Sequence, residues 1–258
     1  MSTCRTHRLI HSHVCLLPAT FAASAQPLDN FDALLSSLRG LTHQAMFDLS
    51  AKHLTVSTVG ASPGRIRQLA DAAPKVRLAL SLHSATQELR TELIPSATSM
   101  AELCDALDYH ASVTRCGLMV EYLLIDGVND RDVDADALAA FCRERDEKAA
   151  EAAAEAKSAA EAKSAAESAA QSAAQSAAES KGRLANYAAK VTPTAGYVNL
   201  IPFNPTEAGG LRGYATPSEE AVERFHARLR DVHGVNALCR WKSATGRDAN
   251  GACGQLVV

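Results

Sequence analysis

Four short stretches of this chain hold the residues best suited to chemistry. The carboxy-terminal text "GRDANGACGQLVV" places Cys253 close to two glycines, Gly251 and Gly254. A thiol in such a setting has reach and backbone freedom, and as the thiolate it is a nucleophile. Upstream, "STVG" offers Ser57, "SLHS" offers Ser81, Leu82 and His83, and "FNP" offers Asn204. Hydroxyl, imidazole and carboxamide groups suit the holding of a polar small molecule. Each also has a plainer reading: serines that end strands, a hydrogen-bonded structural histidine, an ordinary Asn-Pro turn and a buried thiol. The elements that position them decide between the two.

Those elements alternate. "HLTVSTVG" is a β-branched run ending in glycine, and in "SPGRIRQLADAA" Ser62 and Pro63 open a helix. "VRLALSLHS" reads as a strand, followed by the helical patterns "TQELRTELI" and "MAELCDALDYHASV". "LMVEYLLIDG" is a strand feeding the helix "DADALAAFCRERDEKAA". Further on, "YVNLIPFN" is a strand. In "TPSEEAVERFHARLRDVH", Thr216, Pro217 and Glu219 predict a capping box, and "VNALCRW" is a last strand. Near-continuous apolar strands alternating with helices predict a parallel α/β sheet covered by helices. In such sheets ligands collect at the carboxyl ends of the strands, so Ser57, His83, Asp126 and Asn204 are expected on one rim. Glu121 and Asp126 are assigned no chemistry of their own.

Composition narrows the field. The 258 residues suffice for one large domain or two small ones, and 47% hydrophobic content allows a sizeable core. A formal charge of −3 and 5% aromatics argue against RNA binding by bulk charge or by an aromatic stacking surface. A local patch of Arg240, Lys242 and Arg247 near Cys253 can face phosphate, or can be simply a solvated edge. The seven cysteines are irregularly spaced; Cys104, Cys116 and Cys142 fall in apolar patterns and read as buried thiols of a reducing compartment. No C-x-x-C or C-x-x-x-C-x-x-C cluster is present, so no cysteine-ligated metal site is predicted. No apolar run is long enough to span a membrane.

Two segments stand apart. Residues 147–190 read "EKAAEAAAEAKSAAEAKSAAESAAQSAAQSAAESKGRLANYAAK", a helix-favouring text with little apolar area to bury. A low-complexity insertion forming a solvated helix is expected, rather than a core element or a partner-binding helix. The first thirty residues join a basic start to the apolar "VCLLPATFAA", which reads either as a targeting segment or as a buried strand.

"LTVSTVGASPGRIRQLAD", "VRLALSLHSATQELRTELIP", "VEYLLIDGVND", "VNLIPFNP" and "GRDANGACGQL" follow one another in an order that resembles the radical-SAM adenosine RNA methyltransferases of the RlmN/Cfr type. The resemblance covers residues 20–146 and 196–258. It implies a radical-SAM β/α (partial TIM) barrel, methylation of adenosine carbon 2 in rRNA or tRNA, S-adenosylmethionine and a 4Fe-4S cluster as cofactors, and RNA as partner. It implies cofactor-binding roles for Ser57, Ser81, Leu82, His83 and Asn204. It implies that Cys253 accepts a methyl group and carries the new carbon as a methyl thioether.

The chain departs from that family at several points. The three cluster cysteines are absent, and Cys4 and Cys15 are spaced too widely to replace them. The second cysteine that resolves the RNA adduct, the accessory domain and the first barrel strands have no counterpart. "FAASAQPLDN" stands where the family has a Gly-Glu pair for the methionyl amine, with Ala25 and Gln26 at those positions; Gln26 lacks the carboxylate to pair with an ammonium group. The match of "TFAASAQP" to a barrel strand weakens the targeting reading.

The sequence therefore predicts an incomplete barrel of about five or six strands. Residues 1–19 are unassigned, 20–146 form its first part, 147–195 the insertion and linker, and 196–258 its second part with the cysteine loop. The expected protein is cytoplasmic, with mitochondrion or plastid as the alternative. It is a truncated or diverged methyltransferase inactive by itself, or a catalytically silent relative that binds RNA, S-adenosylmethionine or a protein partner at its open edge.

Overall fold

The computed structural model describes residues 14–15, 27–173, 196–205 and 207–240. Six parallel strands lie side by side in chain order. They are β1 (Val14–Cys15), β2 (Leu54–Thr58), β3 (Arg77–Ser81), β4 (Met119–Leu124), β5 (Tyr197–Pro202) and β6 (Ala237–Cys239). Helices α1 (Phe31–Thr42), α2 (Pro63–Ala72), α3 (Gln87–Leu93), α4 (Met100–Thr114), α5 (Asp132–Ala173), α6 (Glu207–Leu211) and α7 (Glu219–Ala227) connect them. The expected parallel α/β architecture is thus present.

Alternation along each strand sorts side chains between two faces. Leu54 and Val56, Leu78 and Leu80, Val120 and Tyr122, and Val198 and Leu200 face one way. They pack with Leu34 and Leu38 of α1, Ile66 and Leu69 of α2, Leu103 and Leu107 of α4, Leu138 of α5 and Phe225 of α7. The other face carries Thr55, Ser57, Ala79, Ser81, Glu121 and Asn199 in the lower and middle rows, with Leu123 and Ile201 above. Its upper end is closed by a smaller cluster of Leu93, Ile94, Leu123, Ile125, Ile201 and Phe203. Helices cover one face of the sheet as the outer ring of a β/α barrel does, and the polar side chains lie on the other.

Local chemistry explains several boundaries. In α4, Ser99 Oγ accepts from Glu102 N–H while Glu102 Oε2 accepts from Ser99 Oγ–H, and Arg115 ends the helix in the left-handed region. The cap of α7 differs from expectation. Ser218, not Thr216, accepts from the Ala221 N–H, and Thr216 Oγ1 donates instead to Phe203 O at 2.7 Å. Pro217 therefore precedes the N-cap instead of occupying the first helical position.

Helix α5 runs 42 residues without a break, about 63 Å at the helical rise. Its first turns pack on the sheet, and the alanine-, glutamate- and lysine-rich text continues the helix by propensity alone. Gly196 N–H donates to Asp146 Oδ1 at 3.2 Å, so the chain that departs after residue 146 returns beside its point of departure. Among the described residues no helix is long and apolar enough to cross a membrane.

Candidate functional site

All six strands are parallel, so their carboxyl ends share one edge. Ser57 sits half-buried on β2, one residue from its end, and Ser81 half-buried at the end of β3. Asn204 follows β5 by two residues, with Nδ2 3.4 Å from Pro202 O. Asp126 is exposed on the turn after β4. Cys253, Lys242, Arg247, Ala25 and Gln26 lie outside the described residues.

The turn after β3 is built around His83, which adopts a left-handed φ of 58°. His83 Nδ1 accepts from Leu123 N–H at 3.1 Å, standing in for a strand carbonyl between β3 and β4. That bond settles the tautomer: in the neutral ring the proton resides on Nε2, a donor. Burial, and then the positive charge of Arg90, push the His83 pKa down to about 3, so the ring is neutral over the physiological range. Leu82 turns its side chain into the helix-side core. Its N–H donates to Glu121 O and its carbonyl accepts from Ser84 N–H.

Two residues to which the sequence attached no role hold this edge together. Arg90 of α3 is 0% exposed. Its guanidinium donates to Ser81 O at 3.2 Å and also to Leu82 O and Val59 O, tying the ends of β2 and β3. Burial lowers its pKa to about 10, which leaves it charged. Asn129, also 0% exposed, plays the same part for β3 and β4. Its Nδ2 donates to His83 O at 2.8 Å and Leu123 O at 2.7 Å, its Oδ1 accepts from Ile125 N–H at 2.7 Å, and its carbonyl accepts from Tyr122 Oη–H at 3.0 Å. The only sequence signals were a basic residue inside a helical pattern and an Asn-Asp turn.

Below the edge, the inner face is short of partners. The side chains of Ser57, Ser81 and Glu121 make no hydrogen bond or ion pair to any described residue. Asn199 Oδ1 is buried with no hydrogen-bond partner. Burial raises the Glu121 pKa, and the charge of Arg240 draws it back. The Asn199 oxygen is fully enclosed and the other three groups are half-buried; buried polar groups are ordinarily satisfied. A nucleoside carrying hydroxyl, amino and charged groups, as S-adenosylmethionine does, fits that donor set. A 4Fe-4S cluster does not fit. Among the described residues no three His, Cys, Asp or Glu side chains are grouped to hold a metal. The free thiols of Cys104, Cys116, Cys142 and Cys239 sit on separate elements. Cys104, Cys116 and Cys142 are half-buried rather than fully buried as expected, and burial pushes Cys142 up to about 12.

A separate cavity of about 390 Å³ lies at the opposite end of the sheet, between the starts of β4, β5 and β6 and helix α5. Buried Arg145 lines it, with Nε 2.7 Å from Asp108 Oδ1 and Nη2 2.5 Å from Glu144 Oε1. These pairs are close but poorly aligned for hydrogen bonding, so the attraction is Coulombic. Parallel strands present ligands at the other end, and this cavity is not joined to the rim residues.

A parallel sheet in chain order, helices on its outer face and polar strand ends inside define a partial β/α barrel. The comparisons agree. A solved radical SAM methyltransferase from Sphaerobacter thermophilus superposes with a TM-score of 0.63 at 28% identity, over 89% of this chain and 52% of that one. A domain of a pyruvate-formate lyase-activating enzyme from Bacteroides vulgatus shares the fold alone, with a TM-score of 0.50 at 14% identity over 86% of this chain and 98% of that one. Among curated proteins, a "probable dual-specificity RNA methyltransferase RlmN" of Parafrankia sp. is 36% identical over 243 residues, 92% of this chain and 48% of the relative. No family model matches. The chain is a homologue of the RlmN-type radical-SAM RNA methyltransferases, and it spans about half the length of the curated relatives it matches.

Proposed function

We propose that this chain is a cofactor- and RNA-contacting part of an RlmN-type adenosine methylation machinery acting on rRNA or tRNA in the cytoplasm, and that by itself it is catalytically silent. The observation that carries the reading is the placement of Ser57, Ser81, His83 and Asn204 at one edge of the sheet, beside the unpartnered Asn199 oxygen of the inner face. S-adenosylmethionine, when bound, supplies a methyl group on a sulfonium centre. The Ser57 and Ser81 hydroxyls and the Asn204 carboxamide would hold its polar groups. His83 would donate from Nε2 without exchanging a proton, because its ring stays neutral. Leu82 contributes by fixing the backbone between Ser81 and His83. Cys253, as thiolate, would be the nucleophile toward that methyl group. The cluster ligands are absent, so no radical step is assigned to this polypeptide. The homology to RNA methyltransferases supports RNA as the partner, and the missing cysteines support silence.

The test is equilibrium dialysis of the full chain with labelled S-adenosylmethionine. Saturable binding is expected, weakened about tenfold or more in a Ser57→Ala, Asn204→Ala double variant, as two lost hydrogen bonds to ligand require. No saturable binding up to about 1 mM, a floor near −4 kcal/mol, would overturn the reading. After anaerobic reconstitution with iron and sulfide no 5′-deoxyadenosine is expected; its appearance would refute catalytic silence.

A further inference from the structure

Glu121 of β4 and Asn199 of β5 are in-register neighbours on the inner face, and Ser81 of β3 is in register with Glu121 on its other side. Asn199 is 6% exposed and its Oδ1 has no partner. The Glu121 carboxylate, half-buried, makes no hydrogen bond or ion pair to a described residue. Adjacent strands lie about 4.8 Å apart, so these two groups stand within reach of one small flat ligand edge. Leu238, the neighbour of Asn199 on β6, is 47% exposed.

The chemistry of the pair selects the ligand. A carboxamide presents one acceptor beside one donor, which matches an amino group beside a ring nitrogen, the edge that asparagine reads on adenine. A carboxylate accepts from the second amino hydrogen. A fully cationic ligand suits the place less well, because Arg240 already directs positive charge at Glu121. Guanine and hypoxanthine present a carbonyl where the amine must be, opposing acceptor to acceptor.

We infer that Glu121 and Asn199 form a subsite for the amino edge of a 6-aminopurine. It rests on the reading of this face as a nucleoside-binding surface and adds the group that is recognised there. Two sources share that chemistry, the adenine of S-adenosylmethionine and an adenosine of RNA.

Calorimetric titration of the full chain with adenosine, purine riboside and inosine tests the subsite. Adenosine should bind at least about tenfold tighter than either analogue, as a buried site built for an amine rejects a ligand lacking it. Glu121→Gln and Asn199→Leu should reduce that preference to within about twofold. Circular dichroism reports whether Asn199→Leu folds, and Glu121→Gln, nearly isosteric, decides if it does not. Equal binding of the three nucleosides, or a preference unchanged in Glu121→Gln, overturns the inference. Titration with S-adenosylmethionine against its inosine analogue, and with an adenosine-containing trinucleotide against its inosine counterpart, assigns the source. Discrimination in either pair supports the subsite and discrimination in neither refutes it. Binding of S-adenosylmethionine with no discrimination in either pair would sink the subsite alone. Discrimination of adenosine without binding of S-adenosylmethionine would sink the proposed function alone.

Discussion

Asn129→Asp exchanges one amide nitrogen for oxygen with almost no change of shape, at a position that is 0% exposed. The wild-type Nδ2 donates to His83 O and Leu123 O at 2.8 and 2.7 Å, and the variant meets both carbonyls with an oxygen. Two lost hydrogen bonds cost about 1 kcal/mol each, and the acceptors left buried without donors add about 1–3 kcal/mol. A loss of about 3–5 kcal/mol at pH 8 follows, a large part of the ~5–15 kcal/mol that holds an ordinary domain together. The introduced carboxyl is disfavoured as an anion by burial and by the carbonyls, so its folded pKa lies above its unfolded value of about 3.9. A group so raised is least harmful below its unfolded pKa, where the proton can restore one bond. The penalty grows as pH climbs through the folded pKa, at up to about 1.4 kcal/mol per pH unit. Urea unfolding of wild type and variant from pH 4 to pH 8 measures the difference directly. A loss below about 1 kcal/mol at pH 8, or one independent of pH, would refute the account of how β3 and β4 are locked at the rim.

Other expectations follow from the same geometry. His83 is held at a pKa of about 3 and His110 at about 4, both by burial, so the unfolded chain takes up protons below pH ~6.5 that the folded chain refuses. Stability should therefore fall from pH 6.5 towards 4, and His83→Asn should remove up to about 1.4 kcal/mol per pH unit of that slope; an unchanged slope would exclude a buried neutral His83. Gly60 has φ of 76° and a Cβ there would stand 2.6 Å from Leu103 Cδ1. Gly60→Ala should cost about 2–4 kcal/mol by thermal or urea unfolding, and a cost below about 1 kcal/mol would contradict this packing. Because Gly196 bonds to Asp146, replacing residues 151–194 with a short Gly/Ser linker should leave the melting temperature of the sheet within a few degrees. A collapse of the cooperative transition would show instead that the insertion supports the core.

The strand–helix rhythm and its parallel sheet were legible in the sequence because burial leaves a one-dimensional trace. Leu54 and Val56, or Leu78 and Leu80, recur with the period of a strand whatever else the chain does. Parallel strands then oblige Ser57, His83 and Asn204 to share an edge. The α7 cap at Ser218 was not legible, because Thr216 and Ser218 both offer a hydroxyl and the Phe203 carbonyl, brought in by folding, engages Thr216. The tertiary structure alone decided which polar groups are spent and which are left over. Arg90 looks from its helix like a solvated cation, yet it is buried because three carbonyls at the ends of β2 and β3 converge on it, one of them 31 residues away. Asn129 reads as a turn residue and reaches a carbonyl 46 positions upstream. Asn199 reads as a polar interruption in an apolar strand, and only the neighbouring strands determine that its oxygen is enclosed without a donor. Periodicity reports the side of an element a residue occupies; hydrogen-bond satisfaction depends on partners brought together by folding, and that information is non-local.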